Sequence, residues 1–121
     1  MPDGKICYIE IPSRDIDVSA AFYTAAFAWK VRVRGDGQRA FDDTTGAVSG
    51  TWVINRPPSR EPGMLMYIMV DDIDATVSKL VAAGGRAVMP KTAINPKAGD
   101  AYATFLDPAG NLIGLYQESK R

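Results

Sequence analysis

The chain repeats its own architecture, and this constrains its fold more than any other feature. Laying the second half on the first brings Arg14-Asp15-Ile16-Asp17 onto Asp71-Asp72-Ile73-Asp74. The apolar positions of two helical segments then coincide: Ile16 with Ile73, Ala20 with Val77, and Tyr23 with Leu80. Each half reads strand–helix–strand–strand–strand, a match of pattern rather than of identity. In the first half, residues 6–11 alternate as a strand, with Cys7, Ile9 and Ile11 on one face and Ile6, Tyr8 and Glu10 on the other. Asp15 is a suitable N-cap for a helix over residues 16–28, and residues 30–34, 39–43 and 48–54 read as strands. The second half offers a strand over 64–70 and a helix over 73–83, stopped by Gly84-Gly85. Strands over 86–89, 101–106 and 111–117 follow, the last two joined by the turn Asp107-Pro108-Ala109-Gly110. Residues 90–100, with two prolines, two lysines and a glycine, read as a mobile loop.

Between the halves, Pro57, Pro58 and Pro62 remove donors and fix φ, so residues 56–63 read as a linker. The expected fold class is α+β. One domain over residues 1–121 is built of two βαβββ modules, about 5–55 and 64–118. Their sheets are expected to join into one curved mixed sheet with the helices outside, leaving a concave inner face where a small ligand would fit.

Composition narrows the chemistry. The chain has 121 residues, 14 Lys+Arg against 14 Asp+Glu, one cysteine and no histidine. Without histidine, every His-dependent triad and zinc motif is excluded. A single cysteine, Cys7, forms no intramolecular disulfide. Balanced charge gives no electrostatic basis for non-specific nucleic-acid binding. No apolar run approaches the roughly 20 residues of a membrane span, and the N-terminus lacks a signal-peptide pattern, so a cytoplasmic protein is expected.

Glu10-Ile11-Pro12, Asp15, Phe22-Tyr23, Val70-Asp71-Asp72 and Asp107-Pro108-Ala109-Gly110-Asn111 occur here in a particular order and spacing. Together they resemble the vicinal oxygen chelate superfamily, the group of glyoxalases, bleomycin-resistance proteins and extradiol dioxygenases. The resemblance covers nearly the whole chain and implies paired βαβββ modules. In metal-dependent members it implies four ligands on the concave strands: a His, a His or Glu, a second His, and a Glu. Those positions fall here at Tyr8, near Thr51, at Leu65 and at Gly114. None is an imidazole or a carboxylate, and Leu65 and Gly114 cannot ligate through a side chain. The resemblance therefore implies a retained fold without the usual metal, and neither metal nor cofactor is expected.

Tyr8, Tyr67 and Tyr116 share the parity of the concave face on three strands. With Thr51, Trp52, Leu65, Met69 and Gly114 they form the candidate binding set. Trp52 depends on the register of its strand. Aromatic walls with polar tips suit a flat organic molecule. Glu10 is the candidate catalytic residue, because a carboxylate beside Tyr8, Tyr67 and Met69 would be partly desolvated and suited to acid–base work. The commoner reading of such a residue is a buried structural acid paired with an arginine or a backbone N–H, or one bonded across a dimer interface. Cys7 is expected to be a buried small hydrophobe. Met64, Met66 and Met69 are expected in the core, with a pocket wall as the alternative for Met69. Arg32, Arg34 and Arg39 read as a solvated face, with an anionic ligand as the alternative. The expected function is metal-free binding of a small organic molecule by a homodimer. The alternatives are a lyase or isomerase acting on a carbonyl compound through Glu10, and a metal-dependent glyoxalase or dioxygenase.

Overall fold

The structure, a computed structural model, describes residues 3–95 and 99–118. The elements are β1 (Tyr8–Pro12), α1 (Ile16–Phe27), β2 (Lys30–Val33), β3 (Arg39–Asp42), β4 (Ser49–Val53), β5 (Tyr67–Met69), α2 (Ile73–Ala82), β6 (Arg86–Asn95), β7 (Asp100–Leu106) and β8 (Leu112–Gln117). The expected βαβββ order thus occurs twice. Both helices start where an aspartate can accept from their free N–H groups. Asp15 accepts from the amides of Asp17 and Val18 at 3.0 and 3.4 Å. Asp72 accepts from Ala75 N at 3.2 Å, and Gln117 Oε1 takes the N–H of Ile73 at 2.8 Å. Helix α1 ends at Ala28, which adopts the left-handed conformation with φ of 59°.

Each module forms a four-stranded sheet with the same connectivity, β1-β4-β3-β2 and β5-β8-β7-β6. The first pair in each is parallel and the others antiparallel. The repeat holds at the level of register. Glu10 lies opposite Thr51 in the first module, and its counterpart Tyr67 lies opposite Gly114 in the second. The modules keep separate ladders, where a single merged sheet was expected.

The helix-facing sides of both sheets build the core. Phe22, Tyr23, Phe41, Trp52, Phe105 and Leu115 are all fully buried there. Trp29 stacks between Tyr23 and Phe41, with ring centroids 4.6 Å apart on each side. Rings of this size bury more apolar area per residue than aliphatic chains and so dominate the core energetics.

A buried polar network ties the modules together at one end. Tyr23 Oη donates to Asp107 Oδ2 at 2.7 Å. Asn111 Nδ2 donates to the same oxygen and to the carbonyl of Pro12, at 2.9 and 2.7 Å. Asn111 Oδ1 accepts from Ser59 N at 2.7 Å. The Asp-Pro-Ala-Gly-Asn segment is therefore more than a turn. It anchors α1, the end of β1 and the segment between the modules.

Three expectations are corrected. The segment expected as a loop after residue 89 continues as strand to Asn95; residues 96–98 lie outside the described residues. Pro90 is tolerated because β6 is an edge strand, and register shifts between Ala87 and Met89 and between Met89 and Thr92 absorb the misfit. Cys7 is exposed, because it precedes the first paired residue of β1 and no neighbour covers it. Met64 is 92% exposed, while Met66 packs against the core. Among the described residues, no helix is long and apolar enough to cross a membrane.

Candidate functional site

Strand register decides which side chains share a face, since neighbours across a ladder point the same way. On the second sheet, Tyr67 pairs with Gly114 and Met69 with Tyr116, and Tyr102 pairs with Tyr116 on the other side. These residues therefore occupy the face opposite Ile68, Phe105, Ile113 and Leu115, which pack towards the helices. Tyr67, Met69, Tyr102, Tyr116 and Ile94 line an open groove of about 590 Å³. A smaller cavity of about 300 Å³ shares Tyr67 and Met69 and continues past Ile9, Trp29, Phe41 and Met66. Partial desolvation, then the carboxylates of Asp100 and Glu118, push the Tyr116 phenol above its ordinary value. It is therefore a neutral hydroxyl, able to donate, through the physiological range.

Gly114 explains the shape of the groove. A Cβ there would sit 2.5 Å from Cδ2 of Tyr67, so the tyrosine ring lies flat across the glycine. Any side chain at residue 114 would occupy the space the ring now fills. Gly114 lies beneath the groove wall rather than in it.

The first sheet presents a different face. Tyr8, Glu10, Ser49, Thr51, Ala40 and Asp42 share it, together with Lys30 and Arg32. It is polar and cross-linked. Arg34 Nη1 donates to the Tyr8 hydroxyl at 2.8 Å. Arg32 pairs with Asp42 at 3.0 Å. That hydrogen bond, followed by one from Ser49, holds the Asp42 carboxyl below its usual value. Thr51 donates its hydroxyl to the carbonyl of Arg39. Glu10 is ion-paired with Arg56, and their side chains are 37% and 52% exposed. The carboxylate is thus solvated and paired rather than enclosed among tyrosines, and neither Glu10 nor Tyr8 lines the groove.

Of the residues anticipated from sequence, the structure gathers Tyr67, Met69 and Tyr116 around the groove and sets Gly114 beneath it. Tyr8, Glu10 and Thr51 are on the other sheet. Leu65 is half-buried and precedes the paired part of β5. Trp52 faces the helices, 4.9 Å from Phe41 by ring centroid, because adjacent residues of one strand cannot share a face and Thr51 takes the open one. Tyr102 and Ile94 were missed. The alternation of Ala101, Ala103 and Phe105 with Tyr102 and Thr104 carried the signal for the first; the second lies in the segment expected as a loop. Arg32 and Arg34 pair with Asp42 and Asp36, and Arg39 with Asp17, which matches a solvated face.

The donor set does not fit a divalent metal. At the four positions the resemblance singles out there are a phenol bonded to Arg34, a threonine hydroxyl bonded to a backbone carbonyl, a leucine, and a glycine under an aromatic ring. Among the described residues, no group of three or more His, Cys, Asp or Glu side chains could hold a metal ion.

Comparison with known proteins agrees with this architecture. The family model described as Glyoxalase/Bleomycin resistance protein/Dioxygenase superfamily matches residues 5–115. The CFP32 protein of Mycobacterium bovis and Mycobacterium tuberculosis, a glyoxylase by name, is 30% identical over 97% of this chain and 47% of its own length. The chain thus spans about half the length of these curated relatives. A glyoxalase/bleomycin resistance protein/dioxygenase family enzyme from Burkholderia phytofirmans PsJN superposes with a TM-score of 0.75 at 20% identity, covering 95% of this chain and 99% of that one. TnmS3, an antibiotic binding protein from Streptomyces sp. CB03234, superposes with a TM-score of 0.71 at 25% identity, covering 98% and 99%. The chain belongs to the glyoxalase/bleomycin resistance protein/dioxygenase superfamily.

Proposed function

We propose that the protein binds a flat organic molecule in the groove of the second sheet, without a metal. The observation that carries this reading is the Tyr67 ring lying across Gly114. It replaces a ligating position with an aromatic wall, and Tyr102 and Tyr116 extend that wall on the same face. Apolar walls with a few hydroxyl tips bind planar molecules by burial and stacking, while the hydroxyls fix orientation. The likeness to TnmS3, which is named for binding an antibiotic, supports the same reading.

A second copy of the chain is the natural cover for this face. Met69 and Ile94 stand 64% and 54% exposed at the groove, an apolar display that single-chain proteins ordinarily close.

Thermal melting against a panel of hydroxylated polycyclic aromatic compounds tests the ligand. At least one class should raise Tm in a concentration-dependent way, and Tyr102→Ala with Tyr116→Ala should remove the shift. No shift from any compound, or a shift that survives the double variant, overturns the reading. Sedimentation equilibrium tests the dimer, which a monomer throughout the micromolar range overturns.

A further inference from the structure

A third pocket, sharing no residue with the groove or the cavity beside it, lies where the two modules meet. It measures about 200 Å³ and is lined by Arg14, Arg60 and Arg86, with Gly84 and the turn from Leu106 to Gly110. Its arginines come from three separate parts of the chain: the β1–α1 connection, the segment between the modules, and the start of β6. The Arg60 guanidinium lies close over Gly110, with Nη2 3.5 Å from where a Cβ would stand. The other arginines with nearby carboxylates, Arg32, Arg34, Arg39 and Arg56, are ion-paired, whereas Arg14, Arg60 and Arg86 form no ion pair among the described residues.

Asp107 is the acid in the pocket wall, and it does not satisfy them. Its Oδ1 accepts from the amides of Ala109 and Asn111, at 3.0 and 2.9 Å. Its Oδ2 accepts from Tyr23 and Asn111, at 2.7 and 2.9 Å. Four donors fill the acceptor capacity of a carboxylate. Three arginines therefore line a small cavity against a single carboxylate that is already bonded, leaving an excess of two positive charges.

We propose that this pocket binds a phosphate dianion, either free or as the phosphoryl group of a small monoester. Two negative charges match the excess, and the planar forks of arginine suit tetrahedral oxyanions. The volume admits the phosphoryl head but not a nucleotide. Because the ligating arginines come from both modules and the segment between them, an occupant would also brace the junction.

Titration of ¹⁵N-labelled protein with inorganic phosphate, at ionic strength held constant with sodium chloride, tests the proposal. The amide resonances of Gly84 and Gly110 should shift saturably, and Arg60→Gln and Arg86→Gln should each weaken the apparent affinity about fivefold or more. Both substitutions replace exposed side chains, and unchanged melting temperatures without phosphate will show that the fold is intact. Glycerol phosphate, titrated in parallel, distinguishes the sources: tighter binding than inorganic phosphate assigns the site to a monoester, weaker binding to the free ion. Shifts that do not saturate, that chloride alone reproduces, or that persist undiminished in the Arg60→Gln/Arg86→Gln double variant overturn it.

Discussion

The hydroxyl of Tyr23, in the middle of α1, donates a 2.7 Å hydrogen bond to the carboxylate of Asp107 in the turn before β8. Both residues are buried. Burial above all, then the charge of Asp107 and the hydrogen bond to it, holds the phenol well above its ordinary value. A proton held more tightly in the folded than in the unfolded chain stabilises the fold below the unfolded value of about 10. Above that pH the unfolded phenol ionises while the folded one does not, so stability falls as pH rises towards the folded value. Tyr23→Phe should cost about 1.5–3 kcal/mol at neutral pH, as expected for a lost hydrogen bond to a charged group. Urea unfolding from pH 8 to 11.5 should show a steeper alkaline loss in the wild type than in this variant. Parallel curves would contradict the assignment.

Asn111 is the other half of that network. Asn111→Ala would leave the Pro12 carbonyl, the Ser59 amide and one bond to Asp107 without their partner. The expected loss is about 3 kcal/mol or more, because each buried polar group left unpaired carries its own desolvation penalty. Denaturant titration of this variant checks the value; a loss under about 1 kcal/mol would show that the modules do not depend on the junction.

The Asp15 N-cap, both helices and the doubled module could be read directly because Asp15 and Asp72 precede matching apolar stripes. The continuation of β6 beyond residue 89 could not, since its pairing depends on an edge position and bulges that no local pattern encodes. Parity placed Tyr67, Met69 and Tyr116 correctly on one face. It could not tell that Tyr8 and Glu10 belong to the other sheet, because the path between modules is set by tertiary contacts. Nor could it find Arg56, which starts the segment between the modules and lies 46 residues along the chain from Glu10.

Glu10→Gln and Arg56→Ala should each change stability by less than about 1 kcal/mol, as for other exposed ion pairs, with the effect shrinking in high salt. Ligand binding in the groove should be unaffected by Glu10→Gln, since that residue is not part of its lining. Melting curves at low and high salt, with and without a groove ligand, check both statements.

Gly114→Ala should act mainly on the groove. The added methyl collides with the Tyr67 ring, which is half-exposed and can swing outward. A stability cost of about 1–3 kcal/mol is expected, as for other overpacked sites. Adding Tyr67→Ala should restore part of it, giving a non-additive double-mutant cycle. Strict additivity would mean that the two positions do not meet.

Extended treatment with a chelator, followed by return to chelator-free buffer, should leave both Tm and groove binding unchanged. A fall in Tm reversed by a divalent cation would overturn the metal-free reading, because metal that binds only the folded state adds to its stability.

The ring over Gly114 also bears on how this chain could change. An acidic residue at 114 would first meet the ring rather than a metal, and shrinking Tyr67 alone would open a hole without supplying a donor. The two positions are therefore coupled: a carboxylate at residue 114 gains room only when the ring at residue 67 moves aside or shrinks.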